Sequence, residues 1–336
     1  MSVTAALYQT CRSPNTPKTI ACTPETCCLA NGFMNYLPSL AGNALYMAIF
    51  SLLLFVNLLF GIRYKTTTFT IWMSLGLIGE AVGYVGRIML HNNIFSFNAF
   101  LIYLVPLTIA PAFVTACIYL CLARIISIMD PNLTYTRLKP KVYTTIFVTF
   151  DFIALVLQGA GGGITSTGND TTTDLLGVNV MIAGLAFQIF SLVVFIALCS
   201  DFAWRFYRAS GTGSAPSSGP MLENNSTYVL LDKNETSIST TPTLATLDHV
   251  RRSRMFKGLI LALACATILI LIRSCYRLAE LRGGFHGTLA NNEVLFMILE
   301  GPMIIISVLL LNVFHPGFSL GKHHLWNMKA FQSQMK

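Results

Sequence analysis

Charged residues are scarce in this sequence. Asp, Glu, Lys and Arg together make up 11% of its 336 residues, whereas a typical soluble domain contains about 25%. Hydrophobic residues account for 54%, and the mean hydropathy is +0.63. The shortage of charge excludes an ordinary soluble globular protein, and the excess of apolar residues predicts a protein embedded in a membrane.

The sequence also lacks the motifs of several common enzyme classes. It contains no HExxH zinc motif, no GxSxG nucleophile elbow and no P-loop ending in Gly-Lys-Ser/Thr. The stretch GAGGG at residues 159–163 resembles a phosphate loop only superficially, because that lysine does not follow it. We therefore predict a protein that is not an enzyme, holds no cofactor or metal, and does not itself hydrolyse ATP.

Seven apolar runs are long enough to cross a membrane, since a helix needs roughly 20 mostly apolar residues to span the hydrocarbon core. They predict an all-α protein built as a bundle of seven membrane-spanning helices. Pro106 and Pro111 in the third run and Pro302 in the seventh are expected to kink these helices rather than end them. The predicted spans are approximately 43–62, 69–90, 99–128, 142–164, 176–200, 256–280 and 294–314.

Positive charges are unevenly distributed around these runs. The formal net charge of +8 could indicate nucleic-acid binding, but the Lys and Arg residues flank apolar runs instead of forming a patch on a polar surface. They cluster after runs one, three, five and seven, whereas segments 91–98 and 165–175 contain none. Because Lys and Arg collect in cytoplasmic loops, we predict an outside N-terminus, a cytoplasmic C-terminus and no nucleic-acid partner.

Polar segments surround the predicted membrane domain, residues 43–317. We expect residues 1–42 to form a tail on the outer side and residues 318–336 to form a cytoplasmic tail, and the segment 209–250 is rich in Ser, Thr, Gly and Asn. That composition favours a disordered cytoplasmic loop before the sixth span.

The predicted outer side carries candidates for two covalent modifications. Four cysteines of the N-terminal tail could form two disulfides, by any of three pairings, or remain free thiols. Asn169 lies in a sequon on the same side, which predicts a glycoprotein. The tail cysteines are Cys11, Cys22, Cys27 and Cys28.

Several ionisable residues lie inside the predicted spans, where a central charge costs roughly 2.5–3.5 kcal/mol and usually faces the bundle interior. In the second span Glu80, Tyr84 and Arg87 follow the spacing i, i+4 and i+7, so they share one helix face. Three further spans carry a polar stripe with a similar spacing. These stripes are Arg273, Arg277 and Glu280 in span six, Glu293 and Glu300 in span seven, and Asp151 and Gln158 in span four.

The rise of about 1.5 Å per residue brings the four stripes close in depth. We predict a polar cluster that lines an interior cavity in the outer half of the membrane. Glu80 and Asp151 are expected near or below the midplane of the membrane. The arginines suit an anionic or polar head group, and the carboxylates suit an ammonium group or a proton. The alternative is that the ion pairs only hold the helices together. The candidate binding or translocation residues are Glu80, Tyr84, Arg87, Asp151, Gln158, Arg273, Arg277, Glu280 and Glu300.

Six stretches of sequence form a recognisable combination. They are GEAVGYVGR in span two, APAFVTACIYLCLARII in span three, FDFIALVLQGAGGG in span four, IAGLAFQIFSLVVF in span five, RSCYRLAELRGGFHG in span six and FHPG after span seven. In this order they resemble the fungal lipid-translocating exporter family, seven-span proteins linked to aminocholesterol resistance and to export of sphingoid long-chain bases. The resemblance covers roughly residues 40–317 and excludes the N-terminal tail and the segment 209–250.

The resemblance implies a fungal membrane protein that acts on amphipathic lipids, at the plasma membrane or at an endomembrane such as the vacuole. Our first hypothesis is a transporter of sphingoid long-chain bases or similar amphiphiles, with membrane lipids as its partners and resistance to toxic lipids or drugs as the outcome. Alternatives are a seven-span lipid or stress sensor that signals through its cytoplasmic loop, a porphyrin, haem or sterol transporter, and a scaffold that alters lipid asymmetry indirectly.

Overall fold

The protein is almost entirely helical in the part of the chain that the structure, a computed structural model, describes, and that part contains no strand. Seven segments are long and apolar enough to cross a membrane. The predicted all-α, seven-span membrane architecture is therefore confirmed. The described residues are 34, 36–130, 139–167, 171–211, 253–283, 287, 289 and 291–319.

Several sequence predictions fall outside these described residues. They concern Asn169, nearly all of the segments 209–250 and 318–336, and the cysteines of the N-terminal tail, namely Cys11, Cys22, Cys27 and Cys28. The possible disulfides and the glycosylation site stay predictions.

Nine helices account for the fold of the described residues. Spans one to six are the single helices α1 to α6, and the seventh span is divided into α7 and α8. The first six helices run past the predicted spans at both ends, because a helix can continue beyond the hydrocarbon core with polar residues. The helices are α1 Leu40–Tyr64, α2 Thr67–Asn92, α3 Phe97–Met129, α4 Pro140–Thr167, α5 Thr171–Gly211, α6 Arg254–Arg282, α7 Glu293–Leu299, α8 Gly301–Val313 and α9 Pro316–Ser319.

Two helix ends differ by a few residues from the approximate boundaries that the sequence predicts. Helix α1 begins at Leu40, three residues before the predicted start of the first span, and the Ser39 hydroxyl accepts a hydrogen bond from the backbone N–H of Gly42 at 3.3 Å. Such a hydroxyl satisfies one of the unpaired N–H groups at a helix start. Helix α5 continues to Gly211, past residue 209, where the sequence predicts that the polar segment begins.

The seven spans form a closed ring in chain order. Each helix from α1 to α6 packs against the next, and α8 packs against both α6 and α1. Helix α3 also contacts α6, and it is the most buried of the seven spans. Below, the end of the bundle where α1 begins is called the Leu40 end, and the end where α1 finishes is called the Tyr64 end.

Small residues let α2 approach α3 closely. A Cβ atom placed on Gly86 would overlap the backbone of Tyr103, and one placed on Gly83 would lie 2.5 Å from Cγ of Leu107. Glycine at a contact between membrane helices allows their backbones to come together. The glycines of GEAVGYVGR therefore form the face of α2 that packs against α3, beside the polar face of Glu80, Tyr84 and Arg87.

The seventh span is interrupted at Glu300. Helix α7 ends just before this residue and α8 begins just after it, with Pro302 in the first turn of α8. Glu300 itself keeps helical dihedral angles, with φ −90° and ψ −69°. The carbonyl oxygen of Met297 accepts a hydrogen bond from the Tyr46 hydroxyl at 2.6 Å. Proline lacks the N–H that would continue the helical ladder, so the kink expected at Pro302 is a one-residue interruption at Glu300.

Candidate functional site

Arg273 of α6 lies at the centre of a buried group of ion pairs. Its Nη2 atom donates a hydrogen bond to Oε1 of Glu300 at 2.6 Å and lies 3.8 Å from Oε1 of Glu80. The same nitrogen donates to the backbone carbonyl oxygen of Leu107 at 2.6 Å. All three charged side chains are 3% exposed or less. One guanidinium group therefore connects α2, α3, α6 and the interruption in the seventh span.

Pro111 explains why the Leu107 carbonyl can accept this hydrogen bond. In an uninterrupted α-helix, that oxygen would accept from the backbone N–H four residues later. Residue 111 is proline, which has no N–H. Arg273 supplies the missing donor. In the sequence, Pro111 indicates that the carbonyl oxygen four residues earlier, at Leu107, lacks its usual helical donor and can accept a hydrogen bond from a side chain.

Arg277, one turn further along α6, forms a second ion pair. Its Nη1 atom donates to Oε2 of Glu280 at 2.6 Å and to the hydroxyl oxygen of Tyr103 at 3.2 Å. The pair lies within one helix at the spacing i, i+3. Arg277 is thus neutralised by its own helix, while Tyr103 links it to α3.

Arg87 of α2 is held mainly by neutral partners. Its Nε atom donates to Oδ1 of Asn43 at 2.9 Å, and its Nη2 atom donates to the hydroxyl of Tyr36 at 2.9 Å. The guanidinium carbon lies 3.8 Å from the ring centroid of Phe296 and 5.1 Å from that of Tyr103. Aromatic faces attract such a cation, and more strongly when it is desolvated. Arg87 is thus enclosed by aromatic rings near the Leu40 end.

Tyr36 lies before α1, outside the membrane-spanning segments. Burial raises the pKa of its hydroxyl above the usual tyrosine value, although the neighbouring Arg87 acts in the opposite direction. The hydroxyl therefore remains protonated at neutral pH while it accepts the hydrogen bond from Arg87.

Glu80 and Tyr84 carry polar atoms that this network does not use. Among the described residues, neither carboxylate oxygen of Glu80 accepts a hydrogen bond and the Tyr84 hydroxyl has no partner, although both side chains are fully buried. The Tyr84 hydroxyl faces the start of α8, where a Cβ atom on Gly301 would lie 2.8 Å from it. Buried polar atoms without partners are uncommon and costly. A ligand that formed hydrogen bonds to Glu80 and Tyr84 would satisfy these buried groups and would gain binding free energy from doing so.

The polar stripe of α4 does not join the others. Oδ2 of Asp151 accepts hydrogen bonds from the Thr115 hydroxyl at 2.8 Å and the Tyr119 hydroxyl at 3.1 Å, both on α3. Gln158 donates through Nε2 to Oε1 of Gln188 on α5 at 3.0 Å. The predicted convergence of four stripes therefore fails for α4, because α3 stands between α2 and α4 in the ring.

An apolar cleft of about 280 Å³ opens between α3, α5 and α6. Its wall includes Ile118 and Met129 of α3, Phe195 of α5 and Leu263 of α6. Thr267, also in this wall, is six residues from Arg273, which corresponds to about 9 Å along the α6 axis. The cleft therefore lies closer to the Tyr64 end than the ion pairs do.

The family model described as RTA1 like protein matches residues 73–323 of this sequence. This range contains most of α2, all helices that follow it and every charged residue of the ion-pair group. The chain belongs to the RTA1-like family. The resemblance to fungal lipid-translocating exporters that the sequence motifs indicated is thereby confirmed.

Three curated proteins of Saccharomyces cerevisiae show how similar this RTA1-like chain is to its relatives. The sphingoid long-chain base transporter RSB1 is 33% identical over 267 residues, which cover 74% of this chain and 65% of that protein. Protein RTM1 is 28% identical over 245 residues, with coverages of 72% and 66%. Protoporphyrin uptake protein 1 is 26% identical over 234 residues, with coverages of 69% and 64%. The chain thus spans just under two thirds of the length of each relative, and no solved structure matches it.

This RTA1-like protein holds seven of the nine predicted site residues together in one buried group, called here the charged cluster. Glu293 lies apart from it at the Leu40 end, where its Oε1 accepts a hydrogen bond from the backbone N–H of Ser39. Each member is 7% exposed or less. Its three arginines and three glutamates carry no net formal charge. The members are Glu80, Tyr84, Arg87, Arg273, Arg277, Glu280 and Glu300.

The predictions from the sequence did not include the neutral partners of the charged cluster. Asn43, Tyr103 and Phe296 lie in apolar runs, and Tyr36 lies in the tail. None of them carries the charge that marked the polar stripes. Their positions depend on which helices are neighbours in the ring, and that information is not present in the period of any single helix.

Proposed function

We propose that this protein moves sphingoid long-chain bases, or single-chain amphiphiles with a similar ammonium head group, across or out of a membrane. The name of the relative RSB1 supports this class of substrate. The observation that carries the proposal is Glu80, a fully buried carboxylate with no hydrogen-bond donor in the described structure. An ammonium head group would supply that donor together with the opposite charge.

The charged cluster is arranged to leave Glu80 available. Arg273 lies 3.8 Å from Glu80 but only 2.6 Å from Glu300, and it also donates to the Leu107 carbonyl. The cation nearest to Glu80 is therefore committed to other acceptors. The Tyr84 hydroxyl, one turn along α2, could bond to a hydroxyl group of a sphingoid base.

The apolar cleft suits the hydrocarbon chain of an amphiphile. The cluster and the cleft share α3 and α6, and the segment of α6 from Arg273 to Ile260 is about 20 Å long at 1.5 Å per residue. One leaflet of the hydrocarbon core is about 15 Å thick, half of the roughly 30 Å core. A single lipid chain would thus reach from the charged cluster into the cleft.

Transport can be tested with purified protein in liposomes that contain a fluorescent long-chain base. We expect the protein to accelerate movement of this base between the leaflets. Glu80→Gln should weaken binding by about 10- to 150-fold, because a hydrogen bond to a charged group contributes about 1.5–3 kcal/mol. Asp201→Asn is the matched control, since Asp201 is a partly exposed carboxylate paired with Arg205 on α5. Absence of any acceleration by the unaltered protein would overturn the proposal.

A porphyrin is the second candidate substrate. In the described structure Arg87 has no carboxylate within salt-bridge distance, and its Nη1 atom has no hydrogen-bond partner. A porphyrin propionate could pair with it, and one relative is named protoporphyrin uptake protein 1. Movement of protoporphyrin but not of the long-chain base in the same liposomes would favour this candidate. Saturable binding of the base without movement would favour a lipid sensor.

The same proposal includes the topology and the location of the protein. With the N-terminus outside, the Leu40 end and the charged cluster lie toward the outer leaflet, where an exported base would be released. We expect the protein at the plasma membrane, with an endomembrane or the vacuole as the alternative. An epitope placed before residue 34 should be labelled by antibody in intact cells, and labelling only after permeabilisation would contradict this arrangement.

A further inference from the structure

Asp151 of α4 is a buried carboxyl group that the proposed head-group site does not use. It is 4% exposed, and its Oδ2 atom accepts two hydrogen bonds, from the hydroxyls of Thr115 and Tyr119. Its Oδ1 atom has no partner among the described residues. The three side chains form a polar site inside the membrane-spanning length of α3 and α4.

No cationic side chain compensates Asp151 in the described part of the chain. The titratable groups of the neighbouring helices that interact with this site are Tyr119 of α3, which bonds to Asp151, and Cys199 of α5, which interacts with Tyr119. A phenol and a thiol are both ordinarily neutral at physiological pH. Arg124 of α3 lies five residues beyond Tyr119, about 7.5 Å further along the helix. An ionised carboxylate without a cation is costly in such a place.

We propose that Asp151 is a proton-binding site, with the proton on Oδ1, and that its protonation is coupled to lipid movement. Water supplies the proton from one side of the membrane and receives it on the other, so no bond other than O–H forms or breaks. One carboxyl group and two hydroxyls are fewer oxygen ligands than calcium or magnesium needs. The coupling rests on the proposed lipid transport, whereas proton binding does not.

Tyr119 connects this site to the apolar cleft. Its hydroxyl bonds to Asp151, and its ring lies edge-on to Phe195 with 4.6 Å between the centroids. Phe195 forms part of the cleft wall. An ionised carboxylate attracts the Tyr119 hydroxyl more strongly than a neutral one does. Protonation of Asp151 would therefore loosen Tyr119 and, through it, the wall against which a lipid chain would lie.

Infrared difference spectroscopy can test proton binding without any lipid substrate. The difference between spectra of the purified protein in nanodiscs at acidic and at alkaline pH should contain the carbonyl band of a protonated carboxylic acid, because this band is lost when the acid ionises. We expect Asp151→Asn to remove a component of this band and Asp201→Asn to leave it. Tyr119→Phe, which deletes only one hydroxyl, should shift the component rather than remove it. An identical band in Asp151→Asn and the unaltered protein would overturn the assignment.

Coupling is tested by the ratio of lipid accumulation with and without a pH gradient across the liposome. With one proton per lipid, a gradient of one pH unit supports at most about tenfold accumulation, since one unit corresponds to 1.36 kcal/mol. Asp151→Asn should reduce this ratio to about one. A ratio unchanged by Asp151→Asn would refute coupling through this residue. If the unaltered protein moved no lipid at all, the transport proposal would fail while the infrared result still decided proton binding.

Discussion

Arg273 illustrates how one side chain can hold several helices in place. A single nitrogen, Nη2, donates to Glu300 and to the Leu107 carbonyl and lies near Glu80, while the Nε atom of Arg273 has no partner in the described structure. These three neighbours of Arg273 lie on α2, on α3 and at the interruption in the seventh span. Removal of this group would leave two carboxylates in an apolar interior.

We therefore expect Arg273→Met to destabilise the protein strongly. Removal of one partner from a buried ion pair costs about 3–5 kcal/mol, because the remaining charge is uncompensated. The thermal midpoint in detergent micelles measures the loss. Adding Glu300→Gln to Arg273→Met should recover part of the stability, since the double variant lacks one of the two carboxylates that have lost their cation. Equal midpoints for Arg273→Met and the unaltered protein would show that the pair is not a structural contact.

His315 predicts a pH-dependent stability at the Tyr64 end, outside the membrane-spanning segments. Its ring is 1% exposed among aromatic rings that include Phe69, and its Nδ1 atom accepts a hydrogen bond from the backbone N–H of Gly317 at 3.1 Å. Burial lowers the pKa of His315 to about 4 from the ordinary 6.5. The unfolded chain therefore binds the proton more readily than the folded one.

The neutral ring of His315 should stabilise the fold fully above about pH 6.5, and this stability should be lost as the pH falls toward 4. The measurement is the thermal midpoint of the purified protein across that range. His315→Phe cannot titrate, so it should flatten the part of the curve that depends on this residue. An unchanged slope in His315→Phe would exclude His315 as its origin.

At the scale of elements, the helical spacing of polar residues was sufficient to predict part of the site. The stripes of α2 and α6 and the position of Glu300 follow from residue spacing, and these helices converge as expected. The stripe of α4 follows the same spacing, yet Asp151 bonds to α3 and Gln158 bonds to α5. A period defines a face of one helix but does not specify the neighbour that this face meets. The order of helices in the ring is a property of the whole bundle, and it decides that neighbour.

The contact between α2 and α3 gives a prediction with an internal control. Gly86→Ala places a Cβ atom against the backbone of Tyr103, which cannot rotate away, so we expect a loss of about 1–3 kcal/mol from overpacking. Gly159→Ala in α4 meets no atom within 4 Å. It should be neutral or gain about 0.5–1 kcal/mol, because glycine weakens a helix interior relative to alanine. Thermal midpoints that fall equally in both variants would contradict close packing at Gly86.

At the scale of the whole molecule, the charged cluster and the ring support each other. The ring brings α2, α6 and the seventh span together around Arg273, and the ion pairs join spans that are distant in sequence. Without the cluster, contacts between apolar helices would remain, but lipid chains can provide similar contacts. Occupation of the cluster by a ligand should therefore affect the stability of the entire bundle.

We expect a free long-chain base to raise the thermal midpoint of the protein. A ligand that binds only the folded state at 100 times its dissociation constant stabilises that state by about 2.7 kcal/mol. The N-acetylated form of the same base has the same chain and hydroxyls but no ammonium group, so it should stabilise much less. Glu80→Gln should abolish the difference between the two lipids, because the charge that distinguishes them is gone. Equal stabilisation of the unaltered protein by both lipids would mean that the hydrocarbon chain, and not the head group, determines binding.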